Sequence, residues 1–365
     1  MKYYMPTKLI TGKDVVLDNK DIFKTFGKKC LIVTGKSSAI KSGALKDVEQ
    51  SLNETGIQFI IYNKVEQNPT VSSCIEAGQL AYDNDCEFII GIGGGSPLDA
   101  AKAVAIFGAN PDLDEDGMYK GAYKRVLPII AVGTTSGTGS EVTMVSVLTN
   151  SKGLKKSIHN TPLYPAVSFG DPKYTLGLPY DFTVSTAIDA FAHLLESYYS
   201  NKADDITRSF SLKGCSMIYP ILVKLLDKDY VPTYNERETL YNASILGGLA
   251  IAQTGTCFPH TLGYYLSETY HIPHGFACAI YMEDIIRHVE KYDFDYSYEL
   301  YSTIGTTSDE LIETVKNLIP DFGVKMSEEE LQSILPRYVR NNSVLNTRGE
   351  TPIEEIETII RNKFM

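Results

Sequence analysis

The chain is expected to fold as two successive domains: an α/β unit on a largely parallel, Rossmann-like sheet, then an all-helical unit. Three observations predict this. The 365 residues exceed the size at which one hydrophobic core keeps growing, and a 43% hydrophobic share is enough for two cores. Short β-branched runs alternate with helical patterns over residues 29–150, as βαβ units require. After Asp171 and Pro172, long helical windows dominate and no strand-like run follows. The boundary is expected near residue 180, at the Leu178–Pro179 step, giving domains 1–180 and 181–365.

The expected strands are Cys30–Thr34, Gln58–Tyr62, Phe88–Ile92 and Leu127–Val132, each a compact apolar run. The first ends in a turn of Gly35, Lys36, Ser37 and Ser38. The third runs into Gly93, Gly94, Gly95, Ser96, Pro97 and Asp99. The glycines permit a tight turn, Ser96 can cap a helix, Pro97 suits its first position and Asp99 falls at its third. A helix N-terminus opening at a strand's carboxyl end is where such sheets bind phosphate; the plainer alternative is a glycine-rich turn. A second cluster, Gly133 to Glu141 with Thr134, Thr135, Thr138 and Ser140, follows the fourth strand. Two such loops suit a dinucleotide. The first turn carries a cation and hydroxyls where an NAD site usually places an acid, which favours the 2′-phosphate of NADP(H) over NAD(H). Lys36 could equally be a solvated surface charge.

In the second half the helical windows are Val184–Ser197, Thr207–Leu226 and Glu236–Ile251. Asp189 and His193, four positions apart, lie about one turn, roughly 6 Å, apart on one helix face. A later stretch with turn-forming Gly and Pro supplies His260, His271 and His274. An oxygen and nitrogen donor set suits iron or zinc. Spacing leaves open whether His271 is a ligand or orients one. Ser327–Glu330 and Thr351–Glu355 carry helix-start signals.

A net charge of −11 and a pI of about 5.1 argue against nucleic acid or an anionic membrane as partner. The six cysteines show no C-x-x-C pair and read as reduced thiols; Cys257, three residues before His260, is the one placed to approach a metal. No signal-peptide core or membrane-length apolar run is present, so a soluble cytoplasmic protein is expected.

Together, Gly93–Lys102, Thr134–Glu141, Asp171 with Pro172, Asp189 with His193, and His260 with Pro273, His274 and Gly275 resemble the iron-dependent (group III) alcohol dehydrogenases. The resemblance spans most of the chain, in the family's motif order, including the 14-residue step from His260 to His274. It implies a dehydroquinate synthase-like architecture, a dinucleotide-binding first domain and a metal- and substrate-binding second, with the site in the cleft between them. It implies Asp189, His193, His260 and His274 as ligands of a divalent metal, Fe2+ before Zn2+, and so moves His271 to the substrate pocket. Gly94, Gly95, Ser96 and Asp99 would surround the pyrophosphate. Thr134, Thr135, Thr138 and Ser140 would lie along the ribose and nicotinamide, with Lys156, Leu176 and Leu178 also at the cofactor.

Many family members carry a further histidine four residues after the first late ligand; this chain has Tyr264. Tyr264 and His271 are therefore the candidates for pocket wall and proton route. The implied activity is hydride transfer between NAD(P)H and a small aldehyde or alcohol, in a homodimer. The rivals are a glycerol-type polyol dehydrogenase and a dehydroquinate synthase-like lyase; the latter needs basic residues near the metal, and none lies between Tyr241 and Arg287.

Overall fold

Residues 3–365 are described in the computed structural model of the chain. Among them eight strands form: β1 Lys8–Thr11, β2 Lys29–Gly35, β3 Gln58–Val65, β4 Phe88–Gly93, β5 Ile129–Gly133, β6 Val145–Thr149, β7 Lys155–His159 and β8 Val167–Gly170. Six of them make one sheet in the order β1-β8-β5-β4-β2-β3, parallel at every pairing. The remaining pair, β6 and β7, is an antiparallel hairpin. The four expected strands are present. β5 starts two residues later than expected because Pro128, lacking an N–H, cannot donate to a ladder; its carbonyl instead accepts from Ile89 N–H at 2.9 Å.

Side chains alternate across the sheet as its pleat dictates. Leu31, Val33 and Ile89 enter one core with the helices Val71–Asp83 and Gly95–Phe107, while Cys30, Ile32 and Ile90 enter another with the helix Ala44–Thr55. Every residue of β4, β5 and β8 is buried, which requires helices on both faces. β2 and β4 are neighbours, yet the chain leaves β2 for β3 on one side and β4 for β5 on the other. Such a reversal opens a crevice at the strands' carboxyl ends.

The second half is helical, with Tyr180–Tyr198, Asp205–Lys224, Phe258–Thr269, His274–Ala279, Met282–Tyr292 and Ile353–Phe364 among its helices. Asp204 starts the second of these with a capping box to Thr207. Among the described residues no helix is long and apolar enough to cross a membrane.

Two compact units result: Tyr4–Pro179 with Pro232–Gly248, and Tyr180–Val231 with Leu249–Met365. A single cut at residue 180 does not describe this, because most of the helix Tyr234–Thr254 groups with the sheet. Its buried Tyr241 explains why. The hydroxyl donates to Glu141 Oε1 at 3.0 Å, and the ring fills space left by glycines: a Cβ on Gly170 would fall 2.3 Å from Tyr241 Cε1.

Candidate functional site

The helix Tyr180–Tyr198 presents Asp189, His193 and Glu196 at steps of four and three, and all three are buried. The helix Phe258–Thr269 contributes His260 from its first turn, then gives way through a short loop to His274, the first residue of the next helix. Gly275 makes this approach possible: a Cβ there would sit 1.9 Å from the Ser185 carbonyl oxygen. The three imidazole Nε2 atoms converge on Asp189 Oδ1, at 4.0 Å from His193, 3.6 Å from His260 and 4.0 Å from His274. The His193 and His260 rings stack at 4.5 Å, and His260 meets His274 edge-on at 5.3 Å.

Asp189 Oδ1 and His260 Nε2 are buried and have no hydrogen-bond partner. Stranding such atoms costs about 1–3 kcal/mol each. Donors about 2.0–2.2 Å from one shared ion lie up to about 4 Å apart, so the spacing of the three imidazoles from Asp189 Oδ1 suits a shared divalent cation. Burial pushes the Asp189 carboxyl up, but the surrounding imidazoles of His193, His260 and His274 outweigh it and hold the group well below the usual carboxylate range. Asp189 is thus held in its ionised form.

Two participants went unnoticed in the sequence. Glu196 Oε1 accepts from His260 Nδ1 at 2.5 Å, and its Oε2 accepts the Cys257 backbone N–H at 2.7 Å. This fixes the imidazole tautomer that leaves Nε2 as the acceptor facing the site. An acidic residue inside the apolar run Ala192–Tyr199, three positions after His193, was the available signal. The second is Cys278, whose donor atom lies with those of Asp189, His260 and His274 within 4.8 Å of one another. The expectation for Cys257 is corrected: its thiol donates to the Glu196 carbonyl at 3.2 Å and is not among the clustered donors.

Tyr264 lies parallel to the His274 ring, with centroids 5.5 Å apart and planes inclined by 7°. His271 is exposed on the loop before His274, with a left-handed φ of 56°.

At the sheet, the pairing of Thr34 with Ile92 and of Gly93 with Gly133 brings three turns side by side. Gly35 ends β2, and Lys36, Ser37 and Ser38 are exposed, with Lys36 paired to Glu66 at 3.1 Å. The helix after β4 begins at Gly95, not after Ser96 as expected; Gly94 is its cap, and no side chain caps it. Gly93, at φ 153°, lets Pro97 fold back against the turn, and Ser96 and Pro97 therefore lie inside the first turn. The two glycine loops press together: a Cβ on Gly94 would meet Thr135 Oγ1 at 2.9 Å, and one on Gly95 would meet Thr138 Cγ2 at 2.8 Å. Thr134 N–H donates to the Gly93 carbonyl at 2.9 Å.

The Asp99 carboxylate is turned inward. It accepts from Ser140 Oγ at 2.6 Å and from Val147 N–H at 2.9 Å. Fully buried Lys102 donates to Ser140 Oγ at 2.7 Å, the Ser140 carbonyl at 2.9 Å and the Val145 carbonyl at 2.7 Å. Burial lowers its pKa to about 8 despite the attraction of Asp99 and Glu141. Lys156, on β7, lies over the Tyr119 ring at 4.0 Å. Leu176 is exposed, and the half-buried Leu178 accepts from Arg237 at its carbonyl.

Two family models match the chain: "Iron-containing alcohol dehydrogenase" over residues 6–172, and "Fe-containing alcohol dehydrogenase family, C-terminal" over residues 183–334. Alcohol dehydrogenase 4 of Saccharomyces cerevisiae is 32% identical over 78% of this chain and 74% of its own length. An NADPH-dependent butanol dehydrogenase of Clostridium saccharobutylicum is 29% identical over 89% of this chain and 84% of its own. The crystal structure of an iron-containing alcohol dehydrogenase from Thermotoga maritima superimposes with a TM-score of 0.92 at 32% identity, covering 100% of this chain and 99% of that one.

Proposed function

The chain belongs to the iron-containing alcohol dehydrogenase family, and from this we propose that it interconverts small aldehydes and alcohols with NADP(H), favoured over NAD(H), at a divalent metal. The observation that carries the reading is the pair of buried, partnerless atoms Asp189 Oδ1 and His260 Nε2, facing the imidazoles of His193 and His274. These four side chains would hold the ion, Fe2+ before Zn2+. When bound, the metal supplies Lewis-acid polarisation of the substrate oxygen, and the nicotinamide supplies or accepts the hydride.

Glu196 holds His260 in the ligating tautomer. Tyr264, flat against His274, walls the pocket and fixes the ring's orientation, while exposed His271 is the candidate for proton exchange with solvent. Gly94, Gly95 and Ser96 offer uncapped first-turn N–H groups to the pyrophosphate. Thr134, Thr135, Thr138 and Ser140 line the neighbouring loop, with Lys156, Leu176 and Leu178 as further cofactor contacts. Asp99 serves the cofactor indirectly, by tying the two loops together. Lys36 would exchange its exposed partner Glu66 for a 2′-phosphate, which is inexpensive because exposed ion pairs contribute at most about 1 kcal/mol. A cytoplasmic homodimer accompanies this reading; the six cysteines, all unpaired and buried, suit a reducing compartment.

The test is anaerobic oxidation of NADPH and, separately, NADH by the iron-loaded protein with aldehydes from acetaldehyde to hexanal. Turnover faster with NADPH is expected. Metal-loaded protein without turnover on any aldehyde would overturn the reading in favour of a polyol or the lyase reaction.

A further inference from the structure

Cys278 stands one helical turn after His274 on the short helix His274–Ala279 and is fully buried. Its sulfur lies 3.7 Å from Nδ1 and 3.8 Å from Nε2 of the His274 ring. With Asp189, His260 and His274 it forms a group of four donors mutually within 4.8 Å, a group to which His193 does not belong. Two of the other three donor atoms, Asp189 Oδ1 and His260 Nε2, are buried without a hydrogen-bond partner and stand 3.6 Å apart. Cys257, equally buried and nearer to His260 in sequence, has its thiol committed to the Glu196 carbonyl, so only one of the two thiols faces the donors.

We propose that Cys278 is a metal ligand, and that this chain offers two overlapping four-donor sets: Asp189, His193, His260 and His274 for iron, and Asp189, His260, His274 and Cys278 for zinc and other thiophilic ions. The proposal rests on the metal site argued above. Thiolate is the soft donor of the group, and imidazole with thiolate suits zinc and cobalt better than ferrous iron's harder oxygen and nitrogen set. On coordination the sulfur gives up its proton to solvent and forms the metal–sulfur bond. With Asp189 it then places two negative charges on the dication, which weakens the ion's pull on a substrate oxygen. Which metal fills the site therefore determines how reactive it is, through a residue outside the four-ligand set.

The experiment loads the full chain with Co2+ and records its absorption, in wild type and in Cys278→Ser, Cys257→Ser and His260→Ala. Tetrahedral visible bands together with near-ultraviolet sulfur-to-cobalt charge transfer are expected in wild type and Cys257→Ser. In Cys278→Ser the visible bands should persist while the charge-transfer band disappears, and zinc affinity should fall about tenfold or more with ferrous affinity little changed. Visible bands in wild type without charge transfer, or a charge-transfer band abolished by Cys257→Ser instead, would overturn the role of Cys278 and leave the four-ligand site standing. Cobalt that fails to bind, or binds equally well to His260→Ala, would overturn the metal site itself. X-ray absorption at the zinc edge of the unsubstituted chain tests the same ligand without relying on a variant's folding: a sulfur scatterer at about 2.3 Å supports the proposal, and nitrogen and oxygen alone refute it.

Discussion

Glu196 shows what a single side chain can decide at this site. Because it accepts from His260 Nδ1 at 2.5 Å, it determines which ring nitrogen faces Asp189. Glu196→Gln keeps the shape but weakens the orienting bond, so metal affinity should drop about 10- to 100-fold with the helical content intact, as a competitive chelator titration would show. Tyr264 separates two roles by one hydroxyl. If it is a wall stacked on His274, Tyr264→Phe retains kcat; a general acid contributes about 10²–10⁴-fold, so a loss of that size would make the phenol the proton donor. Asp189, His193, His260 and His274 were legible as candidates because Asp189 and His193 share a helix face and His260, His271 and His274 stand in a turn-rich stretch; the preference for His274 over His271 came from the family resemblance. Glu196 and Cys278 were not, for a physical reason. Neither helix periodicity nor composition says which buried polar side chain a distant segment will meet: Glu196 acquires His260 only when the helices Tyr180–Tyr198 and Phe258–Thr269 pack, and Cys278 comes near Asp189 only when His274–Ala279 packs on Tyr180–Tyr198 at Gly275.

At the scale of elements, the glycine-rich helix start depends on Lys102. Its ammonium bridges the helix Gly95–Phe107 to the second loop and neutralises the buried carboxylates Asp99 and Glu141. Lys102→Met leaves those charges uncompensated, and chemical denaturation should show a loss of about 3–5 kcal/mol. Gly95→Ala should act differently. Its Cβ would lie 2.8 Å from Thr138, spreading the loops, so the dissociation constant for NADPH measured by fluorescence should rise while metal content stays unchanged. The sequence showed the apolar runs that became β2 to β5, since each is long enough to carry its own signal. It did not show β1 and β8, four residues each, or the hairpin of β6 with the mostly polar β7. The helix cap also differs from expectation. A serine is the usual N-cap, but contact with the neighbouring loop leaves no room for a side chain at Gly94, and the helix starts earlier.

At the scale of the molecule, the C-terminal helix Ile353–Phe364 is fastened to the helix Met282–Tyr292 by Lys363 and Asp284, 2.9 Å apart. Burial raises the Asp284 carboxyl from its ordinary 3.8 to about 6, Lys363 only partly opposing the shift. A carboxyl with a raised folded-state pKa binds its proton more tightly when folded, so its contribution favours folding most below about pH 4 and is lost as pH rises towards about 6. The difference amounts to about 3 kcal/mol. Asp284→Asn should flatten this portion of the stability profile, measured as the wild-type minus variant unfolding free energy between pH 4 and pH 7; an unchanged difference would refute it. The α/β and helical characters of the two units were both readable from hydrophobic periodicity. The return of Pro232–Gly248 to the sheet was not, because that stretch is as helical as the segments around it and only Tyr241, lodged where Gly133 and Gly170 lack side chains, reveals its destination. This return has a bearing on synthesis. A nascent chain emerging from the ribosome has every strand of the sheet by Gly170, but it lacks the tyrosine that fills the sheet's floor until residue 241 has followed. The α/β unit is therefore complete only after the first helices of the other unit have been translated.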